Sequence, residues 1–106
     1  MKVGQIIAMV DELRENEVSD EMKLFWLNEV EGRVKSEIFK AKPEEIAPLV
    51  SFGDAVAVKE PYSRIYILYL DAMMLFCKGE YDSYFTVLSE YERAFSEYSK
   101  HQIRCR

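Results

Sequence analysis

Apolar side chains near the start of the chain recur every three or four residues, the spacing of a helix with one buried face. The series is Val3, Ile6, Ile7, Val10 and Leu13. It predicts a first helix that ends around Asn16. Ser19 then suits the N-cap of a second helix, because its hydroxyl oxygen can accept from a free amide there. The pattern therefore predicts two consecutive helices.

The second helix is predicted to bury one stripe of side chains and to expose most of its charges. The buried stripe is Trp26, Leu27, Val30, Val34 and Ile38. The charged residues that fall mainly on the opposite side are Glu29, Glu31, Lys35 and Glu37. We interpret Trp26, the only tryptophan, as a core anchor of the first two helices rather than as a binding residue.

Residues 42–60 interrupt the helical pattern. Pro43, Pro48 and Gly53 punctuate this stretch, and no helical period continues across it. Pro43 and the two glutamates after it favour one short helical turn, and residues 55–58 favour an extended backbone. The stretch also carries four apolar side chains, Ile46, Leu49, Val50 and Phe52. One hypothesis is therefore that it reaches across to an adjacent subunit.

A third helix follows Pro61, which suits a first helical position because proline lacks the amide hydrogen that would be unpaired there. One apolar series at helical spacing is Ile65, Leu68, Tyr69, Ala72, Met73 and Phe76. The opposite side is apolar as well, with Ile67, Leu70, Met74 and Cys77. Such a helix is surrounded by protein, so it is either central in its own domain or half covered by a neighbouring subunit. It is predicted to end at Lys78 and Gly79.

A fourth helix begins at Glu80, and its apolar and aromatic residues are spaced close to seven apart. One row is Tyr81, Leu88 and Phe95, and the other is Tyr84, Tyr91 and Tyr98. Three heptads with tyrosine at every d position do not suit a dimeric zipper, so the spacing predicts a bundle helix packed at a shallow angle. The tyrosine row is either core or, since tyrosine is enriched where proteins meet, a face for a partner helix.

These elements predict an all-α fold: a small bundle of about four helices with an irregular loop segment between helices 2 and 3. A chain of 106 residues supports one hydrophobic core and is too short for two, so residues 1–106 are predicted to be a single domain. With only 4 glycines and 3 prolines, the chain has too few turn residues for a fold of many short strands.

The charges are concentrated in the first part of the chain. Residues 1–60 carry 13 acidic and 8 basic side chains, a difference of −5, whereas residues 61–106 carry 6 of each. This balance excludes a broadly basic surface that would grip nucleic-acid phosphates regardless of sequence. The longest nearly uncharged run, 65–77, is shorter than the roughly 20 residues that a membrane span requires, so no membrane association is expected.

No pattern of side chains points to catalysis or to a bound cofactor, so no enzymatic activity is expected. His101 and Cys105 would face the same way on a helix, but a structural zinc site needs four ligands. The glycines stand alone, without the spacing of a phosphate-binding loop. Cys77 and Cys105 are too few for a dense disulfide scaffold, which favours a reducing, intracellular setting.

Asp71 interrupts the apolar run of the third helix, so its carboxylate must either face water or find a partner. The first possibility places it on an exposed edge of the helix. The second places it at a subunit boundary, paired with an arginine or lysine of another chain. With the apolar face and the tyrosine row, it completes a candidate interface. The members of this interface are Ile67, Leu70, Asp71, Met74, Tyr84, Tyr91 and Tyr98.

Four stretches of the chain together resemble the small head-to-tail connector proteins of tailed bacteriophages and prophages, the adaptors that dock onto the portal. The stretches are VGQIIAMVDEL, SDEMKLFWLNEVEGRV, PYSRIYILYLDAMMLFCKGEYDSYF and the tyrosine-rich last helix. The resemblance spans nearly the whole chain. It rests on helix order, on aromatic spacing and on the Gly79-Glu80-Tyr81 junction.

The resemblance implies a structural protein of virion assembly and head completion, which forms a ring of identical subunits between the portal protein and the next tail-side connector protein. DNA would pass through the ring without specific binding, and the acidic balance suits such a conduit, because a lumen with bound cations would hold DNA. The implied location is the head–tail junction of the virion, or the bacterial cytoplasm when the chain is expressed from a prophage. The segment after Tyr98 is too short to grip a portal firmly.

The residues alone leave a second function open, that of a small acidic helical adaptor or regulator. Such a protein would bind a basic protein partner through residues 11–21, where acidic side chains are dense. The two functions predict different partners: phage components for a connector, and a soluble basic protein for a regulator.

Overall fold

The computed structural model describes residues 1–105, and in that range the chain forms four α-helices. They are α1 (Val3–Leu13), α2 (Asp20–Arg33), α3 (Arg64–Cys77) and α4 (Tyr81–Arg104). α2 continues directly into one wider π-helical turn, Val34–Ile38, and Pro43–Glu45 form a 3-10 turn. The predicted all-α bundle with an irregular segment between its second and third helices is confirmed, as is the short turn at Pro43.

α3 is the central helix of the bundle. α1, α2 and α4 all pack against it, and its contact with α4 is the most extensive. Its buried side chains are Ile65, Tyr66, Leu68, Leu70, Ala72, Met74 and Leu75. The sequence left open whether this apolar helix is central or half covered by a neighbour, and the structure places it at the centre of its own protomer.

α1 ends three residues earlier than predicted. Leu13, which the sequence assigned to the buried stripe, is 64% exposed, so that assignment is wrong. The reason is that the backbone becomes extended at Arg14 and leaves the bundle layer that covers the preceding turns. Asn16 organises the connection to α2, since its side chain donates to the Arg14 carbonyl and accepts from the Val18 N–H.

The start of α2 matches the sequence pattern. The Met22 N–H donates to the hydroxyl oxygen of Ser19 at 3.1 Å, so the predicted N-cap is confirmed. Trp26 is 4% exposed and belongs to the core, as predicted. Glu31, however, is 2% exposed, and its assignment to the solvent side of the helix is wrong.

The start of α3 lies later than predicted. The helix begins at Arg64, and Pro61 precedes it in a turn that is closed by the Tyr62 N–H donating to the Lys59 carbonyl at 3.0 Å. The Glu60–Pro61 peptide bond is cis. The chain makes this turn before the helix starts, so Pro61 is an exposed turn residue and not the first residue of the helix.

The turn between α3 and α4 is set by Gly79, whose φ of 76° is in the left-handed region. The Glu80 N–H donates to the Leu75 carbonyl at 3.1 Å, and the Gly79 N–H donates to the Phe76 carbonyl at 3.0 Å. This is the Schellman arrangement that ends a helix on glycine. The predicted end of the third helix is thus confirmed, and α4 starts immediately at Tyr81.

The buried carboxylate of Glu31 holds the irregular segment onto the bundle. It accepts a hydrogen bond of 2.6 Å from the Tyr66 hydroxyl and one of 2.9 Å from the Ala57 N–H. The Tyr66 oxygen accepts in turn from the Val58 N–H at 3.1 Å. Burial and the neighbouring Glu31 carboxylate raise the pKa of Tyr66, so the hydroxyl stays a donor. The Lys35 ammonium lies 4.0 Å from the same carboxylate.

Further hydrogen bonds fix this segment to its own chain. The side-chain amide of Asn28 pairs with both backbone groups of Leu49, accepting from the N–H at 2.7 Å and donating to the carbonyl at 3.0 Å. At the start of α1, the Val3 N–H donates to the Asp54 carbonyl at 2.9 Å. Leu49 is buried. These contacts hold the backbone of the segment to its own protomer. Contact with an adjacent subunit, which the sequence suggested for residues 42–60, stays a prediction, and Val50 and Phe52 are 71% and 49% exposed.

We predict that Tyr66→Phe lowers the free energy of unfolding by about 1–3 kcal/mol, because it removes the donor to Oε1 of the buried Glu31 carboxylate and leaves the Val58 N–H without its partner. Urea denaturation measures the change. The matched control is Tyr62→Phe, which removes a hydroxyl that makes no hydrogen bond within residues 1–105 and should change stability by less than about 0.5 kcal/mol. Equal stability of the two variants would contradict the role given to Tyr66.

Candidate functional site

Most of the interface predicted from the sequence lies inside the protomer. Leu70 and Met74 are fully buried, and Tyr91 and Tyr98 are 2% and 3% exposed. Ile67 is half-buried against the same core. The reason is that the tyrosine row of α4 packs against α3, which buries these side chains in the core rather than on an outer face.

Asp71 pairs with an arginine of its own chain. Nε of Arg14 donates to Oδ1 of Asp71 at 2.6 Å, and Nη2 donates to Oδ2 at 3.4 Å. The Asp71 side chain is 16% exposed, and its hydrogen bond raises the pKa of Arg14. Asp71 therefore ties the end of α1 to the middle of α3, which corrects both the exposed-edge and the subunit-boundary interpretations.

Arg33 ties α2 to α4 in a similar way. Its guanidinium carbon lies 3.9 Å from the Phe95 ring centroid, and its two terminal nitrogens donate to the Glu92 carboxylate at 3.0 and 3.1 Å. Nη1 also donates to the Tyr91 hydroxyl, and Nε donates to Glu37. Every nitrogen of the guanidinium is used inside the protomer, so Arg33 does not offer a free fork to a phosphate or carboxylate ligand.

Exposed aromatic rings gather at the turn between α3 and α4. The Phe76 ring centroid lies 5.6 Å from that of Tyr81 and 5.2 Å from that of Tyr84, and the Tyr84 and Phe85 centroids are 5.1 Å apart. Phe76, Tyr81 and Phe85 are 48%, 53% and 64% exposed. We call Phe76, Tyr81, Tyr84 and Phe85 the hairpin cluster. A contiguous exposed aromatic patch is typical of a surface that contacts another protein.

Exposed carboxylates lie at the same end of the molecule as the hairpin cluster: Glu80 and Asp82 flank Tyr81 in the chain, and Glu15 and Glu17 line a pocket with Cys77 and Lys78. We call the exposed residues Glu15, Glu17, Glu80 and Asp82 the acidic rim. None of them forms an ion pair with another described residue. Of the nearby cations, Arg14 pairs with Asp71, whereas Nζ of Lys78 donates to the neutral backbone carbonyl of Glu15 at 2.5 Å and keeps its positive charge, which leaves the four carboxylates in excess by three. This end of the molecule therefore combines aromatic rings with negative charge.

The sequence pattern placed Phe76 and Tyr81 in buried series, and the structure exposes about half of each. The pattern fails there because residues next to a tight helix–helix turn lie beyond the last layer of the bundle, where no helix covers them. The signal that identifies the hairpin cluster is position. All its members lie within six residues of Gly79, so the turn brings them together from both helices.

The opposite end of the molecule carries a second surface. α4, at 24 residues and about 1.5 Å per residue, is about 36 Å long and runs along most of the 39 Å longest dimension. At its C-terminal end, the Tyr62 ring packs against Tyr98 and His101, with centroid distances of 5.3 and 4.8 Å. A groove of about 380 Å³ opens beside these rings. We call it the terminal groove, and it is lined by Phe39, Ala57, Lys59, Glu60, Pro61, Tyr62, Tyr98, His101 and Gln102.

The other residues that the sequence raised as possible metal ligands are His101 and Cys105. Sγ of Cys105 lies 3.6 Å from Nε2 of His101. Within residues 1–105, no three His, Cys, Asp or Glu side chains are placed together to hold a metal ion. In the same range, no helix has both the length and the apolar composition to cross a bilayer. Cys77 and Cys105 are both exposed free thiols.

Comparison of the chain with protein-family models, with curated proteins and with solved structures found no significant match. The two end surfaces are therefore the features from which a function can be inferred. One end presents aromatic rings bordered by carboxylates, and the other presents a groove with aromatic walls and a lysine.

We predict that Asp71→Asn lowers the free energy of unfolding by about 1 kcal/mol, the lower end for a charged hydrogen bond because Arg14 is partly solvated. The change should leave the oligomeric mass unaltered, since the pair lies within one protomer. Thermal or urea unfolding with light scattering measures both quantities. Glu90→Gln, which removes an exposed carboxylate of α4 that lies outside the acidic rim and forms no ion pair within residues 1–105, is the control and should be neutral. If Asp71→Asn weakened association without lowering stability, the result would show that Asp71 lies at a subunit boundary.

Proposed function

We propose that this protein is a structural assembly subunit that associates with copies of itself, and that it serves as a head–tail connector of a tailed phage or prophage. The observation that carries the proposal is the hairpin cluster. Its rings contact one another and are about half exposed or more, apart from the partly buried Tyr84. Burying such rings contributes roughly 1.5–3 kcal/mol each, which favours covering them with another protein surface.

The resemblance to connectors supports the more specific part of the proposal. The helix order, the aromatic spacing and the Gly79-Glu80-Tyr81 junction are the features that it rests on, and the last of these lies within the hairpin cluster. In this role the chain forms a ring between the portal protein and the next tail-side protein, at the head–tail junction of the virion. DNA passes through the ring without specific binding, and the chain catalyses no reaction.

The proposed association surface differs from the one derived from helical spacing. Of the seven residues predicted there, Tyr84 is the member that belongs to the hairpin cluster. The tyrosines that follow it on the same face of α4 pack on α3. Association through the hairpin cluster needs no rearrangement of the core, whereas association through Tyr91 and Tyr98 would require α4 to separate from α3.

The acidic adaptor remains a second candidate function, because five carboxylates in the region 11–21 are exposed and form no ion pair with another described residue. They are Glu12, Glu15, Glu17, Asp20 and Glu21. Asp11 is engaged inside the protomer, where the nearly buried Lys23 ammonium lies 2.6 Å from its carboxylate. The adaptor predicts a complex with a basic protein and no self-association, whereas the connector predicts self-association.

We predict that the wild-type mass rises with concentration and that the double variant Tyr81→Ser, Phe85→Ser shifts this rise to at least tenfold higher concentration. The reason is that truncating a buried interface aromatic commonly costs about 2 kcal/mol or more. Light scattering and sedimentation equilibrium measure the mass. The control is Val50→Ser, which alters a 71% exposed side chain in the irregular segment and should leave the association unchanged.

A wild-type chain that stays monomeric at high concentration, both alone and with a portal protein, would contradict the proposal. A monomer that captures one soluble basic protein at one-to-one stoichiometry would instead support the adaptor. Equal weakening by the control and by the double variant would show that association does not use the hairpin cluster.

A further inference from the structure

We propose that the hairpin cluster of one copy docks into the terminal groove of the next copy, so that the chain associates head-to-tail. This inference rests on the proposed self-association and specifies the two surfaces that it uses. A head-to-tail contact joins two different surfaces, and its repetition gives a closed ring when the rotation per subunit closes, or an open filament when it does not.

Charge complementarity is the first argument for this pairing. The acidic rim brings four carboxylates to the hairpin end. At the other end, Lys59, Lys100 and Arg104 are exposed and form no ion pair within the part of the chain that the structure describes. Two carboxylates lie nearby, Glu60 in the groove lining and Glu97 on α4, so the three positive charges exceed the negative ones by one. The terminal end is therefore positive on balance.

The same charges disfavour the symmetric alternative. Two hairpin ends in contact would bring two acidic rims together, and like charges placed together at an interface oppose association. Two terminal ends in contact would bring the lysines and Arg104 of both copies together. The arrangement that pairs opposite charges at every contact is the head-to-tail one.

The apolar surfaces also match. The terminal groove is bordered by the rings of Phe39, Tyr62 and Tyr98, and Phe39 is 41% exposed. Aromatic side chains such as Phe85 pack well on surfaces of this kind, since tilted ring pairs and ring–aliphatic contacts are both favourable. Docking would cover exposed apolar side chains of both copies.

The chain contains its own reporters for this geometry. Cys77 lies at the end of α3 beside the hairpin cluster, Cys105 follows α4 beside His101, and both are free and exposed. They lie near opposite ends of the 39 Å molecule, so a short cross-linker cannot join them within one copy. Head-to-tail docking brings Cys77 of one copy near Cys105 of the next.

The first experiment treats the purified full chain, at an associating concentration, with a short bismaleimide cross-linker and identifies the linked peptides by mass spectrometry. We expect Cys77–Cys105 links and a ladder of multimers. Cys77→Ser and Cys105→Ser should each abolish the ladder, because every link needs both thiols. Cys77–Cys77 links that persist in Cys105→Ser, or no preference among the pairings, would overturn the head-to-tail contact while leaving self-association intact. A chain with no links and a monomeric mass would overturn both.

The second experiment exchanges charges between the two ends. Two double variants are made: the first combines Glu80→Lys with Asp82→Lys, and the second combines Lys59→Glu with Lys100→Glu. Each should associate at least tenfold more weakly than the wild type. An equimolar mixture should regain wild-type mass, because each reversed end then meets an opposite charge on the other variant. The pair Glu44→Lys, Glu90→Lys is the control: it makes the same change in net charge as the first variant, at residues outside the acidic rim and the lining of the terminal groove. Folded variants whose mixture stays dissociated would overturn the proposal.

Discussion

The buried carboxylate of Glu31 is the interaction on which the rest of this structure depends. A charge that is 2% exposed is tolerated only when donors surround it, and here the donors are the Tyr66 hydroxyl and the Ala57 N–H, with Lys35 at the edge. These groups come from the irregular segment, from α3 and from the π-helical turn that continues α2. Closing the segment around Glu31 ties its backbone to the bundle of its own protomer.

Two arginines form ion pairs inside the protomer and so affect which charges remain at the surface. Arg14 holds α1 to α3 through Asp71, and Arg33 holds α2 to α4 through Glu92 and the Phe95 ring. Because these cations are used in the bundle, the hairpin end keeps unpaired carboxylates while the terminal end keeps unpaired lysines. The separation of charge along the long axis thus follows from which side chains the fold uses internally, and it gives the two end surfaces different chemistry.

The sequence predicts the elements of this fold well, because their signals are local. The Ser19 cap, the short turn at Pro43 and the glycine that ends α3 each depend on residues within one turn of the position concerned. The sequence predicts burial less well, because burial depends on residues that are distant along the chain. Helical spacing shows that the Tyr91 face is apolar, but it does not show whether α3 or another chain covers it. Glu31 lies four residues after Leu27 and three before Val34, at the edge of the buried stripe, and its burial depends on donors 26 and 35 residues away.

The most direct test of this arrangement is hydrogen exchange, measured on the wild-type chain at a concentration where it is monomeric. If Glu31 closes the irregular segment within one protomer, the amides of Ala57 and Val58 exchange as slowly as those in the middle of α3. Exchange of these two amides at the rate of an unstructured chain, or protection that develops only as copies associate, would contradict it.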